Sequence, residues 1–572
     1  MLERTRGLAF LSAHARFLSL SLALALAAAA CTGRIGEPSR GGGGSASSPG
    51  SVSGSGMPAG SGVTPVSAPL LPARIRRITD AEFDSSVKAL LGIDATYGAG
   101  FVPDSRQDGF VVNDAQRVDP VFAQQLDSAA QELAAKARAN VGQLAPCPTT
   151  DPMAGEACAR AFLATFAAKA YRRPPTPQEL DALVAIYHAG ADGLTFAEGF
   201  EAIVQAVLQS PGFLYVTEIG DGSATPLPAL TPYETASAIS YLITGGPPDD
   251  ALAAAAASNQ LTTGPQRVAH ARRLSTLPTA AAQVVRVVEQ WLGIESIVDT
   301  AKDSAIPAYA GFTGLRASMK KEADDFITAT MGSPGGTVAD LLGADWTIAD
   351  ANLAMAYHAP PAGQGGRVSL AGVPRRGILN QAAFLSVYAR AQETAPVKRG
   401  VAVMRRIACI DVAAPTTLKI NIVPPMPDPN KTTRQRFDIH QNDPVCAGCH
   451  KSIDAFGFAF ENFDAMGMIR STEDNLPIDS STVVATGADF DGTYPDSSAL
   501  MTRMAKSPSV ASCFARHLLK FAAARSDESE TPVEHEFMKV WQALPPAAQG
   551  NLGEVLAAWV GSDAFVQRRF VP

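Results

Sequence analysis

Apolar residues recur at helical spacing along most of this chain, and threonines mark where the helices begin. Thr79 and Glu82 form a Thr-x-x-Glu start, followed by Phe83, Val87, Leu90 and Leu91 on one face. Thr176-Pro177-Gln178-Glu179, Thr231-Pro232-Tyr233-Glu234 and Thr531-Pro532-Val533-Glu534 repeat the device. Each places proline at the first helical position, where no N–H is needed. Thr195 and Glu198 open a further helix with Phe200, Ile203, Val204, Val207 and Leu208 inward, stopped at Ser210-Pro211-Gly212. Val284, Val288, Trp291 and Leu292 make another stripe, closed by Gly293.

The pattern changes after Arg375. Residues 411–430 carry Pro415, Pro424, Pro425, Pro427 and Pro429 and read as an extended connector. Residues 470–495 hold Thr, Val, Gly and Asp without helical period, which predicts a short hairpin. Helical spacing returns with Phe514, Leu518, Leu519 and Phe521, and again from Leu552 to Phe565. The expected fold is mainly α: a multidomain helical body with a small β-hairpin element. Its expected units are residues 74–145, 146–222, 228–365, 370–498 and 499–572.

Composition supports packed cores, with 46% hydrophobic and 18% charged residues. The formal charge of −8 gives no sign of the basic surface that nucleic-acid binding requires, so no nucleic-acid partner is expected. The N-terminal end alters the picture further. Arg4, Arg6 and Arg16 precede an apolar stretch from Phe17 to Ala30, the length of a signal segment and short for a membrane span. It ends in Ala28-Ala29-Ala30-Cys31, which resembles a bacterial lipobox with Ala28 in place of the usual leucine. Residues 1–30 then form a signal peptide, and Cys31 is the lipid anchor. An ordinary cleavage site with Cys31 left as a thiol is the alternative, and both imply export. Gly, Ser and Pro fill 25 of the positions 32–70, so residues 31–73 read as an anchor and flexible linker. The expected location is the outer membrane or periplasm, with the membrane as a partner through lipid.

The strongest chemical motif is Cys446-Ala447-Gly448-Cys449-His450. Two thiols three positions apart can form thioethers to haem vinyl groups, and the adjacent His supplies the proximal iron ligand. Haem c is the expected cofactor. A tetrahedral zinc held by His440, Cys446, Cys449 and His450 is the alternative, and a redox disulfide is a third reading. Candidates for the far side of a haem are His440, Met426, Met466 and Met468. Of the other cysteines, four allow three pairings; Cys147 with Cys158 and Cys409 with Cys513 is the expected set, with four buried thiols as the alternative. Asp489, Asp491 and Gly492 lack the glutamate of a calcium loop and read as a solvated turn. No residue carries a catalytic assignment.

Several runs together resemble a family. They include RRITDAEFDSSVKALLG from Arg76, AYRRPPTPQEL from Ala170, QSPGFLYVTE from Gln209 and LTPYETASAISYLITGGPPDD from Leu230. RRGILNQAAFLSVYARAQETAPVKRG from Arg375, CAGCHKSIDAFGFAFENFDAMG from Cys446 and SDAFVQRRF from Ser562 complete the set. The chain is similar to exported planctomycete and myxobacterial multidomain proteins, built of consecutive domains of unknown function with a cytochrome-c-like segment. Ala455, Val216 and Ala395 depart from the family's usual Pro, Arg and Ser. The resemblance implies an architecture and no settled activity. The expected function is an exported haem protein in electron transfer or another redox reaction, with an unidentified redox partner. The alternatives are a helical scaffold with structural zinc and an enzyme acting on extracellular polymers.

Metabolic labelling with a fatty acid is expected to mark the protein and to lose the mark in Cys31→Ser. A wild type that is unlabelled and freely soluble would contradict the anchor.

Overall fold

The computed structural model describes residues 71–94, 96–145, 155–222, 228–412, 425–442, 444–524 and 531–569. Cys31 and Cys147 lie outside the described residues. Strands β1 (Leu71–Pro72) and β2 (Arg74–Arg77) lead into α1 (Asp80–Leu91). The Thr79 hydroxyl accepts from the Glu82 N–H at 3.2 Å, and the Glu82 carboxylate accepts from the Thr79 N–H at 2.8 Å. That exchange satisfies donors that a helix start leaves open. Helices α2 (Pro120–Ala139), α3 (Glu156–Tyr171), α4 (Pro177–Ala191) and α5 (Phe196–Gln209) follow, and Thr176 with Glu179 caps α4 in the same way. These helices enclose one core. In it Phe101 meets both Phe83 and Phe122 edge to face at 5.2 Å. Strand β3 (Tyr215–Glu218) then returns antiparallel to β2, pairing Arg74 with Glu218.

A second, larger core takes in buried residues from Leu230 to Phe565. Its longer helices are α6 (Pro232–Thr244), α7 (Gly264–Ser275), α8 (Pro278–Leu292) and α9 (Phe312–Thr330). Strands β4 (Trp346–Ile348) and β5 (Arg367–Ser369) pair next, followed by α10 (Pro396–Arg406), α11 (Thr433–Asn442) and α12 (Pro444–Phe458). Helices α13 (Pro508–Ala523), α14 (Pro532–Gln542) and α15 (Leu552–Gly561) finish the core. The fold is mainly α, with small two-stranded sheets. The expected hairpin between 470 and 495 is in fact two small sheets, Thr472–Glu473 with Leu476–Pro477 and Thr482–Val484 with Gly492–Tyr494. Asp474 and Asn475 supply the positive φ angles that the first, two-residue turn requires.

The two cores are joined through a buried charge knot. A last strand, Arg568–Arg569, runs parallel to β1 and brings Arg568 to Glu218. Glu218 is buried and also takes two hydrogen bonds from Arg74, at 3.1 and 2.9 Å. Burial pushes the Glu218 carboxyl up, but the Arg74 and Arg568 charges outweigh it and hold it well below the usual carboxylate range. The stability it contributes is therefore present at neutral pH and is lost only as pH falls through that depressed value. A disulfide between Cys409 and Cys513 fastens the end of α10 to α13. It closes a loop of 104 residues, which the chain-entropy model values at about 4.7 kcal/mol. Cys158 is also disulfide-bonded.

Glu218→Ala leaves two buried guanidinium groups without their counter-charge. It is expected to cost about 3–5 kcal/mol, read from the denaturant midpoint at neutral pH. A shift within error of zero would remove the knot from the account.

Candidate functional site

Helix α12 carries the CAGCH sequence, and two short devices place it. Thr432 and Gln435 open α11 with a reciprocal cap, at 2.9 and 3.3 Å. Buried Arg436 then ties α11 down through Glu393 at 3.0 Å and Glu473 at 3.6 Å. On the other side α12 crosses α10 at two glycines. A Cβ on Gly400 would lie 2.1 Å from the Ile453 carbonyl oxygen, and one on Gly457 would lie 2.2 Å from that of Pro396. Only glycine permits that approach.

On α12, residues Cys446, Cys449, His450, Ile453 and Gly457 share one side by their spacing. Ile453 and Gly457 face α10. Cys446 and Cys449 are thiols outside any disulfide, Cys446 half-buried and Cys449 exposed. His450 Nδ1 lies 3.1 Å from Oδ1 of Asp454, one turn further along. Asp454 is fully buried, and its Oδ2 accepts from Gln441 Nε2 at 3.3 Å. With Nδ1 occupied in this way, Nε2 is the ring atom left to ligate.

His440 on α11 faces His450, with ring centroids 4.4 Å apart. Its Nδ1 is buried without a hydrogen-bond partner. Burial and then the neighbouring His450 lower the His440 pKa, against a smaller upward pull from Asp454. The ring is neutral at neutral pH, the form in which imidazole binds metal. The methionines behave differently. Met466 is a core residue, Met468 packs against that core, and Met426 is 78% exposed. His440 is thus the far-side candidate that the fold brings to His450.

The proximal half of a haem site fits these residues: two thiols at the required spacing and a histidine whose Nδ1 is held by a buried carboxylate. The far half is closed, because rings in contact leave no room for a macrocycle between them. A cleft of about 670 Å³ does border α12, but Pro444, Ala447, Gly448, Lys451 and Ser452 line it, on the side away from the thiols. The zinc arrangement is not assembled. Among the described residues, the group of three metal-type ligands within 4.8 Å is Cys409, Cys513 and His517, and those two sulfurs are bonded to each other. Asp491 accepts from the N–H groups of Thr486 and Gly487 within its own turn, and Asp489 accepts from the Ser507 hydroxyl at 2.7 Å. No described helix is long and apolar enough to cross a membrane.

Sequence reasoning missed Asp454 and Gln441. The signal for Asp454 was its position four residues after His450, which puts both on one helix face. Gln441 had no local signal, since its partner lies on the next helix.

Four family models match the chain in succession. Residues 76–139 match PSD3, a protein of unknown function (DUF1587), and residues 158–218 match PSD5, a protein of unknown function (DUF1595). Residues 230–358 match PSD4, a protein of unknown function (DUF1592), and residues 375–473 match PSCyt3, a protein of unknown function (DUF1588). Cys446 to His450 fall inside the last of these. No curated protein and no solved structure matches the chain.

In haem-free protein, the His440 ring protons are expected to titrate below the ordinary histidine value, and Asp454→Asn to lower that value further. A His440 kept neutral by burial binds fewer protons folded than unfolded, so acidification through the ordinary histidine range costs stability. Titration at or above the ordinary value would contradict the buried, facing arrangement.

Proposed function

We propose, for a chain that belongs to the planctomycete-type multidomain proteins built of these four consecutive domains, that it is an exported, lipid-anchored c-type haem protein serving electron transfer. The observation that carries this reading is one helix presenting Cys446, Cys449 and a His450 whose Nδ1 is held by buried Asp454. Haem supplies a one-electron couple when bound. Cys446 and Cys449 would hold it covalently, and His450 Nε2 would face the iron. Asp454 orients the imidazole, and Gln441 fixes Asp454 in turn. His440 is the far-side ligand candidate. The contact between its ring and His450 means that α11 must move outward for the site to load. The apolar stretch before Cys31 supports export, and thioether attachment belongs to the compartment outside the cytoplasm. Lipid on Cys31 would keep the body at a membrane, within reach of a redox partner.

Protein matured in cells that attach haem in the periplasm is expected to keep a haem stain on a denaturing gel. Cys446→Ala with Cys449→Ala is expected to abolish it, and His450→Ala to alter the spectrum. Wild-type protein without stain, carrying one zinc, would overturn the haem reading and leave the scaffold.

A further inference from the structure

A second cleft, of about 680 Å³, opens at the seam between the two cores, where the β2–β3 sheet meets the end of α3 and the start of α6. That is within the usual volume of small-molecule sites, which favour such seams. Three tyrosines line it: Tyr171, Tyr215 and Tyr233. Tyr171 is closely packed, since a Cβ on Gly212 would lie 2.8 Å from its ring.

The polar groups of this cleft divide into two kinds. The charged ones satisfy one another or the backbone. Arg173 and Glu179 form a two-pronged pair at 2.9 and 2.8 Å. Arg172 donates to the carbonyls of Gly212, Phe213 and Tyr215, and Glu234 accepts from the N–H groups of Ile219, Gly220 and Thr231. Two cations and two anions leave no net charge on the wall. Among the hydroxyls, that of Thr231 is spent on Glu234, while those of Ser237, Tyr215 and Tyr233 are left over. Ser237 is only 4% exposed and lines the cleft, and its hydroxyl makes no hydrogen bond among the described residues. The phenol groups of Tyr215 and Tyr233 are likewise without partners among the described residues.

These features select a ligand class. A charged ligand would find no counter-charge to repay its lost hydration. A purely apolar one would cover three hydroxyls and leave them unpaired. What remains is a neutral molecule with flat apolar faces for the tyrosine rings and hydroxyls around its edge. We propose that this cleft, between residues Tyr215, Tyr233 and Ser237, binds the pyranose rings of a neutral carbohydrate. The site is independent of haem at Cys446 and Cys449, and would hold the protein on extracellular glycan.

The test uses the full-length mature chain and neutral hexasaccharides of glucan, mannan, xylan, galactan and chitin type, followed by saturation-transfer NMR and calorimetry. Binding of at least one is expected, with a polygalacturonate hexasaccharide not bound. Tyr215→Phe, Tyr233→Phe and Ser237→Ala each remove one hydroxyl and are expected to weaken that binding by about fivefold to tenfold, with unchanged thermal midpoints. Three results would overturn the proposal: no neutral hexasaccharide bound at millimolar concentration, equal affinity for the acidic one, or unchanged affinity in all three folded variants. If a variant loses its fold, the other two decide.

Discussion

The contact of α10 and α12 backbones at Gly400 and Gly457 is the constraint on which the site depends. Helices that touch at their backbones cannot rotate independently, because any turn of one drives a carbonyl into the other. Arg399, next to Gly400, reinforces the contact. It is fully buried and donates to the carbonyls of Leu385, Phe460 and Asp464 at 3.0 to 3.2 Å. The end of α12 and the turn after it are thereby fixed to α10. The rotation of α12 then sends His450 and Asp454 toward α11 and leaves Cys449 at the surface.

Buried arginine is used in this way throughout the larger core. Arg267 donates to carbonyls at the end of α15, and Arg375 donates to Asn380 and Gly467 while its guanidinium lies 3.7 Å from the Tyr357 ring centroid. A guanidinium has five donors in a plane and stays charged, so one side chain can close several orphan carbonyls. The chain thus uses buried charge as well as surface ion pairs. It joins distant segments, residue 74 to 218 and 568, without large sheets.

Local features were legible in the sequence. The Thr-x-x-Glu starts, the Gly293 stop and the Val284 to Leu292 stripe all depend on neighbours within a turn or two, and the helices form where they point. The CAGCH motif and its histidine were legible for the same reason, though the helix that carries them was not. The remainder depends on residues far apart in the chain. Nothing near Gly400 announces that Ile453 will press on it, and nothing near Glu218 announces Arg568. The sheet pairing of residues 71–72 with 568–569 is two residues long and has no period to detect. The cleft at Ser237 was hidden because Tyr233 and Ser237 read as ordinary positions of an amphipathic helix.

The central claim is that Cys446, Cys449 and His450 hold a covalent haem. The most direct measurement is the absorption spectrum of wild-type protein matured with haem supply, taken before and after unfolding in pyridine. The account predicts a Soret band in the folded protein and a haem signal that stays with the chain once unfolded, because thioether bonds outlast axial ligation. A colourless protein, or a haem signal that separates from the chain on unfolding, would contradict it.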